Sequence, residues 1–208
     1  MTRTLDGIRP LLEQAAAVWT EWNSKINVIS RKDIDNIREH HIMHSLAIAE
    51  YLKRFYPGEE PASILDIGTG GGFPGIPLAI AMPDTRFTLC DSVGKKLKVA
   101  AAVVETLGLT NVQIINARAE TLAGEWDWVV SRAVASLDDF YPWARGKYSR
   151  GILFLKGGDV NAEIAELLRS RHLDARKIRC WKVDNWLKDE YFEEKFVIEI
   201  GKNYLCTP

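Results

Sequence analysis

Asp66-Ile67-Gly68-Thr69-Gly70-Gly71-Gly72-Phe73-Pro74-Gly75-Ile76-Pro77-Leu78-Ala79-Ile80 is the stretch that decides the fold. The short run Ser63-Ile64-Leu65 leads into it, and apolar residues after Pro74 recur at helical spacing. Together these residues read as a strand, a tight glycine turn and a helix start. Such a turn needs positive φ, which glycine adopts freely, and it lets backbone amides approach a ligand closely. A second acidic residue, Asp91, closes the next apolar run, Phe87-Thr88-Leu89-Cys90. Glycines after one strand and a carboxylate after the next imply a bound nucleoside, with the carboxylate near its ribose.

Two nucleoside cofactors compete for this loop. Gly70-x-Gly72-x-x-Gly75 satisfies the dinucleotide spacing, and Asp91 lies at about the right distance for it. The register Asp66-x-Gly68-x-Gly70-x-Gly72 instead resembles the first motif of S-adenosylmethionine-dependent methyltransferases with a Rossmann-like sheet. Ligand charge separates the two. A pyrophosphate wants free helix-terminal N–H groups and no carboxylate nearby. Adenosylmethionine carries an ammonium and a sulfonium, so Asp66 at that edge favours it. The remaining reading is a glycine turn that binds nothing.

Strand and helix patterns alternate after Pro61. Strands are expected near 63–67, 86–91, 112–116, 127–131, 150–156, 178–184 and 192–200, and helices near 74–82, 95–107, 137–146 and 159–172. This predicts an α/β fold with a mainly parallel sheet, helices on both faces and an antiparallel last strand. Residues 1–60 read as a helical extension packed on a main domain of 61–208. A first helix spans 5–23, and a second is capped by Asp33. In such a sheet ligands sit outside the carboxyl ends of the strands. The polar residues at those ends are Asp66 and Gly68, Asp91 and Ser92, Ala117 to Glu120, Ser131-Arg132, and Lys156.

The net charge of −1 over 208 residues excludes a globally basic nucleic-acid binder. Charge is uneven, however: Tyr141 to Lys182 holds ten Lys/Arg against four Asp/Glu. That segment is either one positive face or part of an ordinary solvated surface. Cys90, Cys180 and Cys206 are too scattered for a zinc site or a disulfide framework. His40 and His44 have ligand spacing without further ligands, so no metal is expected. No stretch suits a signal peptide or a membrane span, and a cytoplasmic monomer is expected.

The chain resembles the bacterial small-subunit ribosomal RNA methyltransferase G family, also called glucose-inhibited division protein B. Trp22-Asn23-x-Lys25-Ile26-Asn27 and His41-x-x-x-Ser45-Leu46 are similar to its N-terminal signature. The glycine motif with its Pro74-Gly75-Ile76-Pro77 continuation follows. Leu89-Cys90-Asp91-Ser92, Ala117-Arg118-Ala119-Glu120, Ser131-Arg132-Ala133-Val134 and Leu155-Lys156-Gly157-Gly158 then come in the family's order. The resemblance implies S-adenosylmethionine as cofactor, 16S rRNA or the small ribosomal subunit as partner, and methylation of guanosine N7. By position it implies Gly68, Gly70, Phe73, Ala119, Glu120 and Arg132 as cofactor contacts, with Asp91 on the ribose. His44 departs from the family, which more often has an acid there.

Guanine N7 carries an in-plane lone pair and no proton, so its attack on a methyl needs alignment rather than a general base. Arg132 is the candidate orienting residue through its planar donor fork, or else it pairs with a carboxylate such as Glu120. Lys95, at the start of the helix after Asp91, and Lys156, at the end of the fifth strand, are candidate RNA contacts. Two rival functions remain at this level: a small-molecule methyltransferase, and a non-catalytic RNA-binding assembly or sensor protein that keeps a cofactor pocket.

Overall fold

The structure, a computed structural model, describes residues 2–205; Cys206 lies outside the described residues. Strands β1 (Ser63–Ile67), β2 (Arg86–Asp91), β3 (Val112–Asn116), β4 (Trp126–Arg132), β5 (Tyr148–Gly157), β6 (Ile178–Lys182) and β7 (Lys195–Gly201) form one sheet in the order β3-β2-β1-β4-β5-β7-β6. The pairings β1–β2, β1–β4, β2–β3 and β4–β5 are parallel. β7 lies between β5 and β6 and runs antiparallel to both. The winding reverses at β1, between β2 and β4. The carboxyl ends of these three strands therefore open onto one crevice.

Helices α1 (Leu5–Asn23), α2 (His44–Phe55), α3 (Gly75–Ala81), α4 (Gly94–Leu107), α5 (Leu137–Ala144) and α6 (Val160–Arg171) cover the sheet. Side chains alternate along each strand, so neighbouring residues feed opposite cores. Ile64, Phe87 and Val130 pack on one face with Trp19 of α1, Ile48 of α2 and Leu78 of α3. Leu65, Val129 and Phe154 pack on the other with Phe140 of α5 and Leu167 of α6.

The first core thus includes residues from the N-terminal helices, and two polar devices fix that segment in place. Asn23, buried at the end of α1, accepts the backbone N–H groups of Val28 and Ile29 at 2.8 and 2.9 Å and donates to the Ile29 carbonyl at 2.9 Å. It thereby folds the loop 24–30 back onto the sheet. Glu199 of β7, fully buried, accepts hydrogen bonds from the Tyr51 and Tyr56 hydroxyls and pairs with Arg179 Nη1 at 3.1 Å. Burial first, and then the Glu199 carboxylate, raises the pKa of both tyrosines. Breaking a buried pair of this kind is costly.

The second helix differs from expectation. Ile34–Asn36 is a 3₁₀ turn and Ile37–Met43 a π-helical segment, before regular α geometry begins at His44. Asp33 makes no side-chain cap. Its carboxylate turns instead to His40 Nδ1 at 2.6 Å and His41 Nε2 at 2.8 Å, stronger partners than a solvated amide. Wide π turns loosen the backbone ladder and recur at functional sites. Here the His40 carbonyl is left to accept from Tyr191 Oη at 3.3 Å and Arg132 Nη1 at 3.4 Å.

Candidate active site

The glycine loop follows β1 directly. Gly68, at φ +74°, lies so close to Val134 that a Cβ there would sit 2.2 Å from Val134 Cγ1. The loop's amides are already capped. Asp91 Oδ2 accepts the Gly70 N–H at 2.8 Å, and Asp66 Oδ2 accepts the Gly75 N–H at 2.9 Å and the Thr69 hydroxyl at 2.6 Å. A diphosphate would find carboxylates where it needs free N–H donors. A nucleoside with a cationic tail meets no such conflict. Asp66 is buried beneath the loop, and burial raises its pKa to about 7. It shapes the loop from below and lines neither cavity described next.

Two cavities flank Gly68, Lys96, Ala133 and Val134, all four of which line both. The smaller, about 340 Å³, is lined by Asp91, Ala119 and Glu120. Asp91 spends one oxygen on Gly70 N–H and the other on Val93 N–H at 2.7 Å, which leaves lone pairs for ribose hydroxyls. Glu120 is exposed at the rim, and Ala119 is buried. Cys90, also at this wall, is inert: burial raises its thiol pKa to about 11, and Sγ lies 3.3 Å from the Ala117 carbonyl.

The larger cavity, about 740 Å³, is walled by the glycine loop, by Phe73 and Arg132, and by His40, His41 and His44 of the N-terminal segment. Val28 closes over the loop so tightly that a Cβ on Gly71 would meet its side chain at 2.8 Å. Trp19 donates its indole N–H to the Gly71 carbonyl at 2.7 Å and stacks on Phe73 at 4.2 Å. Arg132 does not pair with Glu120. Its Nη2 meets His41 Nδ1 at 2.9 Å, and its guanidinium lies over the Phe73 ring at 4.9 Å. Burial lowers its pKa to about 10, which leaves it charged at neutral pH.

The other expected contacts are placed differently. Lys156 lines the larger cavity, but its ammonium is held by Glu163 at 3.0 Å and the Ala135 carbonyl at 2.9 Å. Lys95 is exposed on α4 and lines neither cavity, whereas its neighbour Lys96 lines both. Most of the basic run is paired: Arg150, Arg169, Arg171, Arg176, Arg179 and Lys182, like Lys156, each sit beside a carboxylate, while Lys147 and Lys177 reach backbone carbonyls.

The family model for rRNA small subunit methyltransferase G (GidB) matches residues 9–183. The chain belongs to the rRNA small subunit methyltransferase G family. One relative in this family, ribosomal RNA small subunit methyltransferase G of Flavobacterium psychrophilum, is 44% identical over 196 residues, covering 90% of this chain and 88% of the relative. The same protein of Porphyromonas gingivalis is 45% identical over 199 residues, covering 91% and 85%. Solved structures share the fold at much lower identity. Magnesium protoporphyrin IX methyltransferase from Synechocystis, with bound SAM, has a TM-score of 0.63 at 15% identity and covers 91% of this chain and 97% of its own. The plantazolicin methyltransferase BpumL, in complex with a triazolic desmethylPZN analog and SAH, has a TM-score of 0.61 at 14% identity and covers 96% and 100%.

As a member of the methyltransferase G family, this chain uses S-adenosylmethionine, and the capped loop and the ribose-ready Asp91 fit that cofactor. His44 is buried against the edges of Tyr191 and Phe192. Burial holds its pKa well below the ordinary value, so it is a neutral ring in that apolar niche. The sequence reading missed Asp33, Tyr191 and Lys195 as cavity residues. The spacing of Asp33 to His40 and His41 was a usable signal only with a π turn, which no periodicity announces.

Proposed function

We propose that this chain transfers the methyl group of S-adenosylmethionine to N7 of a guanosine in 16S rRNA, acting as a cytoplasmic monomer. Family membership supports a methyltransferase acting on small-subunit rRNA. The observation that carries the finer reading is the wall of the larger cavity beside the glycine loop. Arg132 in that wall takes no proton, and the adjacent His41 is committed to Arg132 and Asp33. A nucleophile that must lose a proton would need a free base there; guanine N7 needs none.

When bound, the cofactor supplies an electrophilic methyl on a sulfonium. Asp91 holds the ribose hydroxyls, Ala119 and Glu120 border the adenine, and Gly68 and Gly70 let the backbone approach the cofactor's tail. Phe73 and Arg132 face the target base from the larger cavity. The reaction relocates positive charge rather than creating it, so these side chains chiefly align the partners and exclude water. Lys95 lies on the outer rim of α4, where an RNA phosphate can reach it. Lys156 serves RNA only by exchanging Glu163 for a phosphate, and Lys96 and Lys195 are better placed in the cavity wall.

Small subunits from cells lacking this gene, incubated with methyl-labelled cofactor and the purified chain, test the reading. The label is expected in 7-methylguanosine when the 16S RNA is digested to nucleosides. Label in another nucleoside would refute the N7 assignment. Label confined to small molecules, or cofactor binding without transfer, would refute RNA methylation altogether.

A further inference from the structure

We propose that Asp33 and His41 are positioning residues for methyl transfer: the carboxylate fixes the imidazole, and the imidazole fixes the Arg132 guanidinium in the wall of the larger cavity. This rests on the methyltransferase reading above. The argument begins with donor counting. A guanidinium only donates, so His41 Nδ1, 2.9 Å from Arg132 Nη2, has to carry a lone pair. A carboxylate only accepts, so His41 Nε2, 2.8 Å from Asp33 Oδ2, has to carry the proton. The two neighbours together dictate one neutral tautomer.

The carboxylate is itself held. Its second oxygen lies 2.6 Å from His40 Nδ1, and the His40 ring stacks on Tyr191 with centroids 3.5 Å apart. The guanidinium is likewise fixed from three directions: His41, the His40 carbonyl and the Phe73 ring face. Asp33 reaches Arg132 through one imidazole, and no carboxylate among the described residues pairs with that guanidinium directly. An imidazolium at His41 would repel Arg132. Burial first, and Arg132 second, lower the His41 pKa to about 4, in line with a neutral ring. The charged and titratable groups around His41 are Asp33, Arg132, His40, His44, Tyr191 and, from β7, Lys195.

The competing role is a staple that merely ties the N-terminal segment to the sheet. The full chain and three variants, Asp33→Asn, His41→Gln and His41→Phe, separate the two. Each is assayed for kcat and KM of label transfer to small subunits lacking the modification, for calorimetric affinity toward S-adenosylhomocysteine, and for melting temperature. Asparagine can turn its amide toward His41 and release the tautomer, so Asp33→Asn should lower kcat on the order of tenfold or more. Its KM and homocysteine-nucleoside affinity should stay within about threefold, because neither residue holds the nucleoside or the RNA backbone. Glutamine offers one acceptor and one donor, as His41 does, so His41→Gln should keep much of the activity. His41→Phe should lose on the order of a hundredfold.

Wild-type kcat in Asp33→Asn and His41→Phe would overturn the proposal. So would losses that simply follow melting temperature and nucleoside affinity, since those mark a staple. Nitrogen NMR of the His41 ring gives a readout that does not depend on turnover. It should show bare Nδ1 and protonated Nε2 at neutral pH, and the opposite tautomer or an imidazolium overturns the proposal. If the wild-type chain labels no RNA while the ring shows the expected tautomer, the function reading fails and the fixed imidazole survives.

Discussion

Removing the Glu199 carboxylate should cost more stability than any other single polar change in this fold. Glu199 is fully buried at the centre of β7, directly across from Arg179 of β6. Glu199→Ala removes the 3.1 Å carboxylate from the Arg179 side chain, which is only 16% exposed. Breaking a buried ion pair in this way costs about 3–5 kcal/mol. The Tyr51 and Tyr56 hydroxyls also lose their acceptor, at about 1–3 kcal/mol each if nothing replaces it. These costs overlap, because the freed groups can turn toward one another, so about 4 kcal/mol is the expected total. For a domain of this size that lowers Tm by roughly 10 °C. Glu199→Gln keeps an acceptor and should cost about 1–2 kcal/mol. Urea unfolding followed by tryptophan fluorescence measures both. A Glu199→Ala midpoint indistinguishable from wild type would show that the cluster contributes nothing net.

Gly68→Ala forces a Cβ to within 2.2 Å of Val134 at φ +74° and should weaken S-adenosylhomocysteine binding at least roughly tenfold by calorimetry; an unchanged Kd would refute the close approach. His41, lowered from 6.5 to about 4, binds a proton in the unfolded chain that the native chain rejects, so stability is lost as pH falls through this window. The loss at about pH 5 relative to neutrality is roughly 2 kcal/mol. Asp66, raised to about 7, works in the opposite direction, so the readout is wild type against His41→Gln by urea unfolding at both pH values, and parallel profiles would refute the assignment. Lys195, whose ammonium lies 4.6 Å over the Tyr191 ring in the cavity wall, should contact RNA phosphate. Lys195→Gln should make the salt dependence of RNA affinity shallower by about 0.7 in log–log slope, and an identical slope would remove it from the interface.

The sheet was legible because its signals are local. Each parallel strand is a short apolar run ended by a polar residue, and β1 to β3 fall where the runs put them. The glycine loop and its carboxylate were legible for the same reason, since Gly68, Gly70 and Asp91 lie at the strand ends that carry them. The larger cavity was not, because its walls come from remote segments. Val28 meets Gly71, Asp33 meets Arg132 through His41, and Tyr191 meets His40 across 151 residues. Side-chain pairing also decides what charge alone leaves open. Lys156 and most of the basic run found carboxylates, which no count of lysines and arginines along the chain reveals.

The Glu199 clamp sets an order on biosynthesis. Tyr51 and Tyr56 leave the translating machinery early, yet their acceptor is made 148 and 143 residues later. Until β7 docks, α2 is held by its apolar face, without the acceptor that ties its far end to the sheet. A polypeptide cut short by a premature stop before Glu199 therefore emerges with a glycine loop and no competent chamber. Such a fragment should be open to proteolysis, and closure of the chamber waits for the last strand.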